Sequence, residues 1–514
     1  MWIKRNIRLC APGTASLAER RTDFRARPGI EEVPRSASAA LQVVLLAVFS
    51  SLVFAETVQV REDFARDPQW QGWNNVAAVP RCVHKVQDFG YSSSHHAGTA
   101  PGEIGGTVWR SLCPARYFMP IAPLTLDDRI SLRGSYTVTA SSGGSGVLFG
   151  FFNRSSKGWR TPNSLVVRLD GEGNAYRIFY EYGTRHYKTG GGQTFEGRYQ
   201  ENPRSVRPAD GKPHAFALAY DPAGAGGLGE LHFSVDSETF SEPLMPEHKQ
   251  DGATFDCVGI MNVQISGEAL SLYLDDLEVN GTLFDFTTDP GWESDGSRLE
   301  FDDCLLRPNH DFTYRPASSF AGGAPGEIGG HVWRIESLTP EHAMHYGRPV
   351  GNLTLAQPLR ASGRLVMMGA GADSALLLGW FNPLTAIGAP PPNFMGALLE
   401  GPSRAGHYFR PAAGSSTGQG LVAGEGPLVY ADSVSHTWSI AWDPAANGGA
   451  GRLTTQLDDS SVALDVPAEF RKASAALAQF GVLSWHTGGN FVEVYLDDLE
   501  FTAAAGAAGK EEQR

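Results

Sequence analysis

Ala100-Pro-Gly-Glu-Ile-Gly-Gly-Thr-Val-Trp-Arg110 recurs as Ala324-Pro-Gly-Glu-Ile-Gly-Gly-His-Val-Trp-Arg334, displaced by 224 residues. Four further blocks follow in the same order. Leu124-Thr-Leu126 matches Leu353-Thr-Leu355, and Phe149-Gly-Phe-Phe-Asn153 matches Leu378-Gly-Trp-Phe-Asn382. His214-Ala-Phe-Ala-Leu-Ala-Tyr-Asp-Pro222 matches His436-Thr-Trp-Ser-Ile-Ala-Trp-Asp-Pro444, and Tyr273-Leu-Asp-Asp-Leu-Glu278 matches Tyr495-Leu-Asp-Asp-Leu-Glu500. Ordered blocks at nearly constant displacement mean a tandem duplication, with a unit far longer than a solenoid repeat. Each unit opens on an Asp-Phe, Asp-Pro, Trp segment (Asp63-Phe64, Asp67-Pro68; then Asp285-Phe286, Asp289-Pro290) and closes after its Leu-Asp-Asp-Leu strand. The sequence therefore divides into a first domain over 56–281, a second over 282–503 and a tail over 504–514, with almost no linker.

Within a unit, apolar alternation predicts strands at Ile130 to Thr139, Val147 to Asn153, Ser164 to Leu169, Tyr176 to Tyr182, His214 to Tyr220, Leu231 to Val235 and Ser271 to Val279. Turn residues such as Asp170-Gly-Glu-Gly173 and Asp221-Pro-Ala-Gly224 separate them. Ala468 to Ala478 is the one helical pattern outside the leader. With 60 glycines, 32 prolines and 19% charged residues in 514, the expected fold class is all-β: two tandem antiparallel sandwiches.

Residues 39–55 hold the only long apolar run and end in Val53-Phe54-Ala55, which is the form of a signal-peptide core with cleavage after Ala55. The run is short of the roughly 20 residues that a spanning helix needs, so no stable membrane span is expected after cleavage. The 38-residue lead suggests that translation starts downstream of Met1. Residues 1–55 as a whole form the leader, and the expected location is secreted, periplasmic or extracellular. The leader takes eight of 42 basic and four of 56 acidic residues, so the net charge moves from −14 to −18 without it. An acidic chain of this kind lacks the basic face that nucleic acid requires.

Cys82, Cys113, Cys257 and Cys304 include no Cys-x-x-Cys pair, which argues against a zinc or iron-sulfur site. Cys82 with Cys113 is one pairing open to them, and free buried thiols are the other reading.

The His-x-aromatic-x-aliphatic-Ala-aromatic-Asp-Pro pattern followed by the Tyr-Leu-Asp-Asp-Leu strand resembles the concanavalin A-like lectin/glucanase (laminin G-like) superfamily of jelly rolls. That resemblance implies two antiparallel sheets per repeat and a ligand on the concave face or the loop rim. It does not imply an activity, since lectins, hydrolases and lyases share the fold. The Glu-x-Asp-x-x-Glu strand of laminarin-type glucanases, which sets two carboxylates on one face, is missing, as are the Gln-x-His and Tyr-Phe-Lys-x-Gly patterns of jelly-roll alginate lyases. Whether the chain is an enzyme stays open.

Differences between the copies direct attention to the first, because Arg168 corresponds to Leu398. A hairpin turning at Gly171-Glu172 pairs Arg168 with Ala175 and Val166 with Arg177. It sets Ser164, Arg168, Arg177 and Glu181 on one face and Leu165, Val167, Tyr176, Ile178 and Tyr180 on the core face. With Trp159, Arg160 and Arg185, the polar set suits a polysaccharide, an acidic one in particular: guanidinium forks for carboxylate or sulfate and a flat ring for a pyranose. The plain alternative is a solvated face of Arg–Glu pairs. A lyase would draw its base from Tyr182 or His186, and His95 and Glu181 complete the catalytic candidates. His95 and His96 are adjacent on a loop, where solvent exposure is the simpler reading.

The resemblance further implies a structural calcium, in which one aspartate of the closing Asp275-Asp276 or Asp497-Asp498 pair joins Glu62 and Asp63 of the opening strand. The alternative is that these aspartates face water beside core leucines. No organic cofactor is expected. The functional expectation is a secreted carbohydrate-interacting protein whose first sandwich binds a glycan. A polysaccharide-degrading lyase or glycoside hydrolase is the first alternative, and a cell-surface interaction domain without glycan ligand the second.

Overall fold

The structure, a computed structural model, describes residues 56–76, 82–111, 113–156, 161–186, 188–194, 206–264, 267–303, 309–335, 342–371, 373–403, 406–486 and 488–508. The leader, the cleavage position and the tail beyond residue 508 lie outside the described residues, as do Trp159, Arg160 and Cys304.

Strands pair antiparallel into four sheets, two to a sandwich. In the first sandwich, one sheet runs Glu238–Pro243, Glu230–Val235, His214–Asp221, Ile130–Ser141, Ala269–Val279, Glu103–Trp109, Val83–Ser92, Arg298–Asp303. The facing sheet runs Thr189–Gln193, Ala175–Gly183, Ser164–Gly171, Gly146–Phe152, Thr254–Asn262, Arg116–Thr125, Glu293–Asp295. Between them lies a core that includes Ile104, Phe149, Val167, Tyr176, Phe216, Ile260 and Leu272. The second sandwich repeats this order around its own core of Ile328, Leu378, Trp438, Phe480 and Leu496. The seven predicted strands are all present, each within two residues of its expected ends. The helical pattern forms Ala468–Ala473 only, and the strand Ala476–Ser484 takes the rest.

The sheets do not divide at residue 281. Thr282–Phe284, Glu293–Asp295 and Arg298–Asp303, which open the second repeat, pair with Ala269–Val279, Arg116–Thr125 and Val83–Ser92 of the first. Reciprocally, Thr57–Glu62 and Gln71–Trp73, which open the first repeat, pair with Phe491–Ala504 and His345–Thr354 of the second. Phe64 and Trp70 accordingly join the second core and Phe286 and Trp292 the first. The expected domains 56–281 and 282–503 are corrected on this point: the first sandwich is continuous over 83–303, and the second combines 56–76 with residues from 309 onward.

The duplicated Ala-Pro-Gly-Glu-Ile-Gly-Gly motif is explained by this exchange. A Cβ at Gly102 would lie 1.9 Å from the carbonyl oxygen of Phe286, and one at Gly326 would lie 2.2 Å from that of Phe64. Both glycines have positive φ, at +115° and +112°, where L side chains are strained. The glutamate that follows has no exposed surface in either copy and closes the preceding loop. Glu103 accepts from the backbone N–H groups of His96 and Ala97 at 2.9 and 2.7 Å, and Glu327 from those of Phe320 and Ala321 at 2.9 and 2.8 Å.

Cys82 and Cys113 are disulfide-bonded. Cys257 is a free, buried thiol, pushed up to about 12 by burial and by the Asp256 carboxylate.

Candidate functional site

Ser164–Gly171 and Ala175–Gly183 form the expected hairpin, with the turn two residues later than the sequence suggested. Gly171 faces Tyr176, Arg168 faces Phe179 and Val166 faces Glu181. Glu172 N–H donates to the Ala175 carbonyl at 2.7 Å, and Gly173 supplies the positive φ of +63° that the turn requires. Because the register error is even, the faces survive: Leu165, Val167, Tyr176, Ile178 and Tyr180 lie in the core.

The other face is far less exposed than a solvated sheet. Leu148, Phe152, Val166, Cys257, Met261, Val263 and Phe118 form a second apolar cluster there. Arg168 and Arg177 are buried beside it, at 6% and 3% exposure. Arg168 makes a bidentate fork to Glu181, Nε to Oε2 at 3.0 Å and Nη2 to Oε1 at 2.7 Å, and also donates to Asp170, which accepts from Arg110 as well. Its guanidinium lies over the Phe179 ring at 3.9 Å. Burial acts to lower the Arg168 pKa, but Asp170 and then Glu181 raise it overall. Burial likewise acts to raise Asp170, while Arg168 and Arg110 hold it below the usual carboxylate range. Two cations and two anions thus satisfy one another in a low-dielectric site. This corrects the expectation that Arg168 offers its fork to a sugar carboxylate.

Arg177 pairs with Glu172 at 3.5 Å, and Ser164 Oγ donates to the Thr161 carbonyl at 2.6 Å. Tyr182 is buried: its hydroxyl accepts from Met245 N–H and reaches His248 Nδ1, both at 2.9 Å. His186 Nδ1 meets Asp251 Oδ1 at 2.9 Å, and its ring packs on Tyr430 at 5.5 Å. Arg185 is exposed beside it. His95 is exposed, and His96 covers Tyr273 at 4.4 Å as Phe320 covers Tyr495 at 4.7 Å. That equivalence makes the paired histidines part of a structural loop present in both copies.

Of the candidates, Ser164, Arg168, Glu181 and Tyr182 line one slot that has room for about one water molecule. Arg168 and Glu181 also floor an adjoining groove of about 400 Å³, walled by Phe179, Tyr180, Gly190, Gly191, Gly192, Gln193 and Glu242. Gly191 stands opposite Glu181 with φ +132°, and a Cβ there would lie 2.1 Å from the Tyr180 carbonyl oxygen. The bare strand keeps the groove open beside the carboxylate. Phe179, Gln193 and Glu242 went unnoticed in the sequence. Strand parity places Phe179 between Arg177 and Glu181, and the Gly-Gly-Gly run was the other legible signal.

The copies differ less here than Arg168 against Leu398 suggests. In the second sandwich Arg410 pairs with Glu400, and Arg334 lies 3.7 Å from the same carboxylate. An arginine–carboxylate group is therefore kept in both, buried in the first sandwich and half-buried in the second, and carried there by a different strand.

The carboxylates assigned to calcium do not converge. Glu62 pairs with Arg348, and Asp63 accepts from Ala65 N–H at 3.0 Å. The exchange sets Asp63 near Asp497 and Asp285 near Asp275, whose repulsion adds to the upward shifts of both buried partners. Asp276 and Asp498 turn away at positive φ, and Asp498 pairs with Arg364 at 3.2 Å. Among the described residues no three His, Cys, Asp or Glu side chains are grouped closely enough to hold a metal ion.

No protein-family model matches the chain, and neither does any curated protein. Solved structures do. The chain is similar to laminin G-like and lectin sandwiches. Domains LG4-5 of the mouse laminin α1 chain share 13% identity at a TM-score of 0.23, over 78% of this chain and 90% of that one. The Emp47p carbohydrate recognition domain shares 11% at 0.23, over 37% and 87%. Peanut lectin shares 11% at 0.20, over 45% and 99%. The fold assignment rests on the four sheets themselves. No helix of the described residues is long and apolar enough to cross a membrane.

Proposed function

We propose that this chain is a secreted glycan-binding protein that holds a neutral, hydroxyl-rich saccharide in the groove over Phe179, Glu181 and Glu242. The groove carries this reading. Its volume of about 400 Å³ falls within the roughly 300–1,000 Å³ of small-ligand sites, and its side-chain acceptors include the carboxylates of Glu181 and Glu242, which take hydrogen bonds from sugar hydroxyls. Arg168 and Arg110 are balanced by Asp170 and Glu181, so Glu242 leaves the site net negative. A uronate or sulfate would meet repulsion there. The lyase alternative is less well supported, because Tyr182 is hydrogen-bonded in the interior and His186 does not line the groove.

The test is binding and turnover of neutral, carboxylated and sulfated oligosaccharides on the full chain, with Glu242→Ala and Phe179→Ala as variants. Neutral-glycan binding weakened about tenfold or more by either substitution is expected, in keeping with the loss of one buried polar or aromatic contact. Binding to no glycan, or binding indifferent to both substitutions, would overturn the proposal.

A further inference from the structure

The second sandwich carries a depression of about 310 Å³ on the outer face of one sheet. Thr57–Glu62, Phe491–Ala504, Leu359–Ala370 and Ser435–Asp443 lie side by side there. Alternation along these strands sends Gln59, Glu500, Arg360, Ser362 and Ser439 to that face, and Val60, Phe501, Ala361 and Ile440 into the core. Ser362 stands opposite Ser439 on one side and Glu500 on the other, and Arg360 stands opposite Ala441. Short side chains at 439 and 441 leave the room beside the arginine.

The charges of this face do not cancel. Arg61 pairs with Glu500 at 3.1 Å and Arg364 with Asp498 at 3.2 Å. Arg360 is exposed and engages its neighbours through its backbone: its N–H donates to Thr502 Oγ1 at 2.9 Å, and its carbonyl accepts from the same hydroxyl at 3.2 Å. Among the described residues neither its guanidinium nor the hydroxyls of Ser362 and Ser439 have a side-chain partner. The first sandwich is built differently at the same registers. Ser131, Arg133 and Ala217 stand where the second has Arg360, Ser362 and Ser439, and Arg133 reaches Glu278, the counterpart of Glu500, at 2.5 Å. There arginine and glutamate satisfy each other across the face. Here the cation has moved along its strand, and a serine stands beside the carboxylate.

We propose that this depression is a second binding site, which takes a uronate residue of a glycan with its carboxylate on Arg360. The proposal goes beyond the neutral-saccharide reading of the first sandwich and does not rest on it. A guanidinium fork takes a carboxylate bidentately, and the serine hydroxyls, Gln59 and Glu500 offer donors and acceptors to ring hydroxyls. A volume of about 310 Å³ lies at the lower end of the roughly 300–1,000 Å³ of ligand sites, which suits one sugar unit. Gln59, Arg360 and Ser362 are exposed, so the unit can continue into a longer chain. The two sites then divide ligands by charge: Glu242 leaves the first net negative, and Arg360 leaves the second net positive.

The experiment titrates the full chain with a galacturonate trisaccharide and, separately, with its methyl ester, which removes the charges and keeps the hydroxyls. Saturable binding of the acid is expected, with the ester weaker by about tenfold or more, in keeping with the loss of a hydrogen bond between charged groups. Arg360→Ser, the first sandwich's residue at that register, should weaken acid binding by about the same factor. Ser362→Arg should do so too, by pairing with Glu500 as Arg133 pairs with Glu278; the first sandwich already accommodates arginine at this register, and an unchanged thermal midpoint checks that the variant is folded. Three results would overturn the proposal: no saturable binding of the acid, equal binding of acid and ester, or acid binding indifferent to both substitutions. Acid binding that falls with Glu242→Ala and not with Arg360→Ser would also overturn it, by moving the uronate to the first groove. Neutral-glycan binding is titrated separately, so either reading can fail while the other stands.

Discussion

Gln59 Nε2 donates to Thr502 Oγ1 at 2.9 Å, although 443 residues separate them. The same threonine oxygen accepts from Arg360 N–H at 2.9 Å, so one hydroxyl ties the opening strand, the closing strand Phe491–Ala504 and the strand Leu359–Ala370 together. Each sandwich is thus the body of one repeat completed by the opening segment of the other. Stability of the second sandwich depends on residues near the other end of the sequence.

Trp70→Ala should expose that dependence. Trp70 is 6% exposed within the second core, and removing a buried tryptophan costs about 3–5 kcal/mol. Hydrogen exchange should quicken along Phe491–Ala504 and leave Ala269–Val279 protected, although Trp70 belongs by sequence to the first repeat. Trp292→Ala should do the reverse. Faster exchange in Ala269–Val279 on mutation of Trp70 would contradict the observed pairing.

Gly326→Ala and Gly102→Ala test the joint between segment and body. Each adds a Cβ at 2.2 or 1.9 Å from a backbone oxygen, at a φ that favours glycine. A loss of about 2 kcal/mol or more is expected from clash and backbone strain together. Gly323→Ala meets nothing within 4 Å and should stay within about 0.5 kcal/mol. Denaturant midpoints of the three variants decide it, and equal midpoints would remove the role assigned to the repeated motif.

The duplication and the strands were legible because alternation and turn residues are local signals. Face assignment within Ser164–Gly171 and Ala175–Gly183 survived a wrong turn position, since parity is insensitive to an even shift. The exchange was not legible. Both bodies present matching acceptor edges, so the sequence of a segment such as Asp63-Phe64 to Trp70 fits either one. Nor could the sequence reveal that Arg168 is buried, because apolar Phe118, Cys257 and Met261 on the same face come from strands that are distant along the chain.

Arg168→Leu, which installs the second copy's residue, should cost about 3–5 kcal/mol, the usual penalty for leaving a buried ion without its partner. Asp170 would keep Arg110, but Glu181 would lose both hydrogen bonds of its fork. Arg168→Leu combined with Glu181→Leu should recover part of the loss, since no charge is then stranded. Urea unfolding of the single and double variants measures the coupling. A single-variant loss under about 1 kcal/mol would mean a solvent-screened pair instead.

The stability contributed by two buried aspartates should fall as pH rises from about 4 to about 6. Asp275 and Asp497 are pushed up to about 6 from 3.8, first by burial and then by neighbouring carboxylates: Asp276, Glu103 and Asp285 for one, Asp498, Glu327 and Asp63 for the other. In that window these two carboxyls hold more protons in the folded chain than in the unfolded chain, so their contribution is full below about pH 4 and is lost above about pH 6; His310, His345 and His407, lowered to about 4, 4 and 3 by burial, act in the opposite sense. Asp275→Asn and Asp497→Asn keep an oxygen to accept from the next backbone N–H and remove the titration, so the Tm of each variant should gain on that of the parent chain as pH rises across the window. A divalent cation among the same carboxylates would reverse the sign by favouring their charged forms. Calcium added at pH 7 should therefore leave Tm unchanged, and a rise abolished by Asp275→Asn would restore the cation site that the described donors do not form.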